Sequence, residues 1–139
     1  MTRVLLDINV VLDVLQKRKN HYESSSLVLS LCADKVIQGY ISSISYSILD
    51  YLLTKEIGAS RSREMLQKIR TITAVADVDE KVIDFALKSK FKDFEDAIQY
   101  YSMITPKLTH LITRNKKDFI HARSIVVTPE EFLVMASLN

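Results

Sequence analysis

Carboxylates from three widely separated stretches of this sequence stand where chemistry is commonly done. Asp7 directly follows the apolar run Arg3-Val4-Leu5-Leu6. Asp93, Glu95 and Asp96 open the amphipathic run Phe94-Glu95-Asp96-Ala97-Ile98. Asp118 closes Thr113-Arg114-Asn115-Lys116-Lys117-Asp118, behind a second apolar run. If the fold brings these acids together, their like charges repel, and the cluster is stable only when protonated or bridged by a cation. Oxygen donors with no Cys or His among them suit Mg²⁺ or Mn²⁺.

Ordinary structural tasks compete for the same residues. Asp93 and Asp96 have the spacing of an N-cap and its third helical position, and for Asp93 the capping role wins. For Asp96 the local signals are balanced between capping and ligation, while Glu95 reads first as solvent-facing. Asn9 is the expected cap of the first helix, which leaves Asp7 free for function. Asp13, further along that helix, reads as a solvated residue. Asn115 has the alternative task of initiating a turn. Arg114, Lys116 and Lys117 are candidates to neutralise the phosphates of a bound nucleic acid, against the plain alternative of a solvated loop. His21, His110 and His121 have no ligand spacing among themselves, and Tyr100 reads as core packing before base stacking.

The elements that must position these groups alternate between strand and helix. Strands are expected at 3–6, 39–42, 73–76, 108–113 and 124–127. Between them, helical spacing runs from Asn9, from Tyr22 to Val36 with Leu27, Leu31 and Ile37 on one face, and through Ile48 to Leu53, ending by Gly58. Further helices start at Ser60 as N-cap, at Asp79 with Val82, Ile83, Ala86 and Leu87 inward, at Asp93, and at Pro129 in its first turn. Such alternation implies right-handed crossovers and an α/β fold: a parallel sheet of about four to five strands with helices on both faces. Ligands of open parallel sheets gather at the carboxyl ends of the strands, where Asp7 and the Thr113–Asp118 segment both fall.

Composition bounds the rest. At 139 residues the chain has the length of a single domain, 1–139, and 47% hydrophobic with 26% charged residues excludes a disordered chain. A net charge of +2 gives no bulk attraction for nucleic acid, so any such binding must come from local clustering. Two glycines and two prolines are too few for the turns of an all-β fold. Neither Gly-rich phosphate-binding pattern occurs. The single cysteine, Cys32, sits in the apolar run Leu27–Cys32 and reads as a buried, inert thiol. The short apolar N-terminus is no signal peptide and no run is long enough to span a membrane, so a cytoplasmic location is expected.

Four segments in order, Leu5-Leu6-Asp7-Ile8-Asn9-Val10-Val11-Leu12-Asp13, Asp93-Phe94-Glu95-Asp96-Ala97-Ile98-Gln99-Tyr100, Thr113-Arg114-Asn115-Lys116-Lys117-Asp118-Phe119 and Thr128-Pro129-Glu130-Glu131-Phe132, resemble the PIN-domain family. The resemblance implies a Mg²⁺- or Mn²⁺-dependent ribonuclease, as in the toxins of toxin–antitoxin pairs, leaving a 5′-phosphate. It implies metal ligation by Asp7, Asp96 and Asp118, with Glu95 and Asn115 as second-rank ligands. An antitoxin partner over the acidic site and a homodimer are further expectations of the family. One departure stands out: the fourth family acid, on the helix after the second strand, falls at Ile48, and Asp50 lies on another helix face. The alternative is therefore a catalytically degenerate member that binds RNA or protein. A more distant alternative is a haloacid-dehalogenase-like phosphohydrolase, suggested by Asp7-Ile8-Asn9, although Asn9 stands where an acid/base Asp is needed.

Overall fold

The computed structural model describes residues 1–137. Among them, five parallel strands form one sheet: β1 (Thr2–Leu6), β2 (Ile37–Ser42), β3 (Ala74–Ala76), β4 (His110–Ile112) and β5 (Ile125–Val127), in the spatial order β3-β2-β1-β4-β5. The connecting helices are α1 (Ile8–Leu15), α2 (Tyr22–Ala33), α3 (Ser43–Ile57), α4 (Ala59–Ile72), α5 (Glu80–Lys88), α6 (Phe94–Tyr101) and α7 (Pro129–Ser137), with a 3₁₀ turn at Lys116–Phe119. No helix among the described residues is long and apolar enough to cross a membrane.

Strand side chains alternate between two apolar layers, as the period of two dictates. Val4, Leu6, Ile41, Ile112 and Val127 join a core with α1, α2, α3, α4 and α7 on one face. Leu5, Tyr40, Ala76 and Leu111 face the opposite way, toward Met103, Leu108 and Phe119. There α5 and α6 meet through Val82, Ala86, Ala97 and Ile98. Both glycines answer to geometry. A Cβ at Gly39 would lie 2.6 Å from Cys32 Sγ, so only glycine lets α2 sit this close to β2. Gly58, at φ +87°, makes the left-handed turn between α3 and α4.

Several local expectations shift. The helix from Tyr22 ends at Ala33, because Lys35 turns at φ 59° and Ile37 starts β2; Leu27 points outward instead of inward. α4 begins at Ala59 with Gly58 as its cap, so Ser60 lies inside the first turn. Leu87 is exposed, while Val82 and Ala86 carry the buried face of α5. The caps at Asp79 and Asp93 form as expected, their carboxylates accepting from the backbone N–H groups of Val82 and Asp96, each at 3.0 Å.

The strand order reverses at β1. From β1 the chain builds outward through β2 and β3, then crosses back to place β4 and β5 on the other side. The crevice at the carboxyl ends of β1 and β4 is thus the topological switch point, where α/β sheets bind ligands.

Candidate metal centre

Asp7 is the first residue past β1 and the N-cap of α1. Its carbonyl accepts from Val10 N–H at 3.0 Å, while its side chain makes no capping bond and is free to face elsewhere. Asn9 is not the cap: the helix already starts at Ile8, and Asn9 Oδ1 accepts from Arg18 Nη1 at 2.9 Å. The Asp7 carboxylate is buried and held from both sides. Gln99 Nε2 donates to Oδ1 at 3.1 Å, and Thr113 Oγ1 donates to Oδ2 at 2.8 Å. Burial pushes the Asp7 carboxyl above the usual carboxylate range, with these two hydrogen bonds opposing the rise.

Asp96 lies in the first turn of α6, half-buried, with its side chain free of hydrogen bonds among the described residues. Its pKa is pushed up to about 7, first by burial and then by the negative charges of Asp93, Asp7, Asp118 and Glu95. Asp118 reaches the same place from the 3₁₀ turn after β4, exposed, its N–H donating to the Asn115 carbonyl at 3.0 Å. A cleft of about 310 Å³ is lined by Asp7, Asp93, Glu95, Asp96, Asn115 and Asp118 together with Gln99, Asn9 and Arg18. All five residues expected as ligands therefore share one cleft. Among the described residues, however, no three His, Cys, Asp or Glu side chains close into a compact metal cage.

Ile48 and Leu52 of α3 line the cleft where a fourth acid is expected. Asp50 is engaged elsewhere, accepting from Ser62 Oγ at 2.7 Å.

The cations divide sharply. Arg114 has a structural contact: its Nε donates to Asp13 Oδ2 at 3.0 Å. Asp13 in turn is not solvated but fully buried, also accepting from Ser25 Oγ at 2.9 Å and lying 3.7 Å from Arg18 Nη1. Lys116 Nζ is shared by both oxygens of Glu131 at 3.1 Å, on the surface. Lys117 has no ion pair among the described residues.

Gln99 and Thr113 hold the Asp7 carboxylate, and the sequence alone assigned neither a role. A signal for Gln99 was present, since it lies three residues after Asp96 on the same helix face. The other weighed residues take structural roles: the Tyr100 ring packs on Phe91 and its hydroxyl accepts from Arg123 N–H, His110 packs on Phe132, and burial raises the Cys32 thiol to about 11.

A family model described as PIN domain matches residues 3–117. No curated protein matches the sequence. Among solved structures, VapBC2 from Rickettsia felis, bound to a promoter DNA fragment, is 20% identical with a TM-score of 0.69, over 91% of this chain and 97% of that one. A toxin–antitoxin complex from Klebsiella pneumoniae is 24% identical with a TM-score of 0.67, over 91% and 97% of the two chains. Mycobacterium tuberculosis VapC20, a toxin that cleaves the sarcin–ricin loop, is 13% identical with a TM-score of 0.61, over 78% of this chain and 86% of that one. At these identities the structures share the fold, and that fold is the one used by toxins of toxin–antitoxin systems. The match displaces the haloacid-dehalogenase alternative, and from β1 to the 3₁₀ turn the chain belongs to the PIN-domain family.

Proposed function

We propose that this chain is a one-domain, metal-dependent ribonuclease of the toxin–antitoxin type, holding Mg²⁺ or Mn²⁺ on Asp7, Asp96 and Asp118, with Glu95 and Asn115 in support. One observation carries the reading: acids from three separate elements line one cleft at the sheet's switch point, where burial first and then their mutual repulsion push Asp96 up to about 7. Partly buried carboxylates that repel one another favour a cation among them. The donors suit a hard divalent ion, being oxygens throughout. Gln99 adds a buried Oε1 with no hydrogen-bond partner beside the Asp7 carboxylate.

When bound, such an ion supplies positive charge to the phosphate and acidity to a water. The chain's own part is orientation. Gln99 and Thr113 fix the Asp7 carboxylate while each of its oxygens retains a second lone pair. The Asp13–Arg114 pair ties the segment before Asp118 to α1. An antitoxin is the proposed protein partner, in line with the toxin–antitoxin complexes among the structural neighbours, and a homodimer is proposed from the family resemblance.

Ile48 favours a second reading, a PIN fold that binds RNA or protein without turnover, because it leaves the cleft one oxygen donor short. Melting of the wild type and Asp96→Asn across a Mn²⁺ titration, followed by an RNA cleavage screen, separates the two. A ligand at 100 times its dissociation constant stabilises by about 2.7 kcal/mol. A saturable rise in the wild type alone, with cleavage, supports the ribonuclease. A flat titration in both, with no cleavage in Mg²⁺ or Mn²⁺, refutes it in favour of the binding module.

A further inference from the structure

Beside the acid cleft lies a second one of about 390 Å³, lined by Lys92, Lys117, Ile120 and His121 and sharing Asp93, Asp96 and Asp118 with the first. The shared acids make it a continuation of the candidate metal centre. Its remaining lining has a different character. Lys92 and Lys117 come from two elements distant in sequence, one just before α6 and one in the 3₁₀ turn. Neither forms an ion pair with the described residues, although three acids line the same cleft. Arg114 and Lys116, their basic neighbours, are both paired. Ile120 is 73% exposed, and the His121 ring stands edge-on to Phe91 with centroids 5.9 Å apart. Two cations without ion pairs beside an exposed apolar side chain match a polyanion that also carries flat, partly apolar faces.

We infer that this second cleft is the docking track for the single-stranded RNA backbone leading away from the scissile bond. Lys92 and Lys117 contact phosphates, and Ile120 and His121 support a ribose or base. The inference rests on the ribonuclease reading for the position of the scissile phosphate over the shared acids. It also sets a direction, since the substrate continues past the start of α6 and the 3₁₀ turn.

The test is fluorescence anisotropy with a short, unstructured, labelled RNA, with Ca²⁺ as the only divalent ion, across a salt series. Each phosphate contact on a single strand contributes about 0.7 to the slope of log K against log salt. Lys92→Gln/Lys117→Gln should lower the slope by about 1.4 and weaken binding at least tenfold at low salt. Arg61→Gln/Lys68→Gln, which removes equal charge from α4, should leave both nearly unchanged. Ile120→Ser should weaken binding severalfold at an unaltered slope. Equal losses in the two double variants, no loss in either, or a wild type that binds no RNA would overturn the docking track. Cleavage by the wild type is scored separately in Mn²⁺. Cleavage with unchanged binding in the cleft variant sinks the track alone, whereas selective loss of binding without any cleavage keeps the track and sinks the nuclease.

Discussion

The buried Asp13 carboxylate offers the sharpest test of how the site is held together. It is wholly inaccessible to solvent, yet only Oδ2 is hydrogen-bonded, to Arg114 Nε at 3.0 Å and Ser25 Oγ at 2.9 Å; Oδ1 has just the longer contact with Arg18. Asp13→Ala removes two hydrogen bonds to a charged group, each worth about 1.5–3 kcal/mol net. It also strands the buried Ser25 hydroxyl. Arg114 and Arg18, with side chains 21% and 31% exposed, can turn to water, so their share is discounted. The expected loss is about 3–4 kcal/mol. At about 2.1 cal/mol/K per residue, 139 residues have an unfolding entropy near 0.3 kcal/mol/K, so Tm should fall by about 10–14 °C. Asp13→Asn keeps an acceptor for Arg114 and a partner for Ser25, and should lose about half as much. Thermal melts and urea titrations of both variants measure this. A drop below about 3 °C for Asp13→Ala would show that the buried pair is energetically idle.

Two further outcomes concern the acid cleft itself. In metal-free protein the folded Asp96 titrates near 7 against an ordinary 3.8, so protonation favours the folded state. This stabilisation is complete below about pH 4 and is lost as pH rises through 7; melts in EDTA should show the wild type falling more steeply over that window than Asp96→Asn, and parallel curves would contradict it. Ile48→Glu restores an acid to the apolar wall, and calorimetry should show Mn²⁺ binding about tenfold tighter or more, since charge count tunes such sites. Unchanged affinity would mean that residue 48 does not reach the ion.

How much of this was legible in the residues depends on the range over which each feature is decided. Strand and helix alternation is local, and β1, β4 and the acids at their carboxyl ends were readable from apolar runs that stop at a charge. Boundaries were less so: Leu27 has helical spacing with Leu31, yet the burial of α2 is set by Val28, Leu29 and Cys32 packing on β2 and its neighbours. The fate of a charge is decided at longer range still. Asp13 looks like any polar helix residue until Arg114, 101 positions away, arrives to neutralise it. The same contact changes the meaning of the basic run Arg114-Asn115-Lys116-Lys117. Sequence marks three equivalent cations there, but Asp13 engages the first and Glu131 the second, leaving Lys117 for Lys92 and His121 to join. Which positive charges remain for a phosphate is therefore a property of the folded arrangement, and it points the proposed substrate to one side of the cleft.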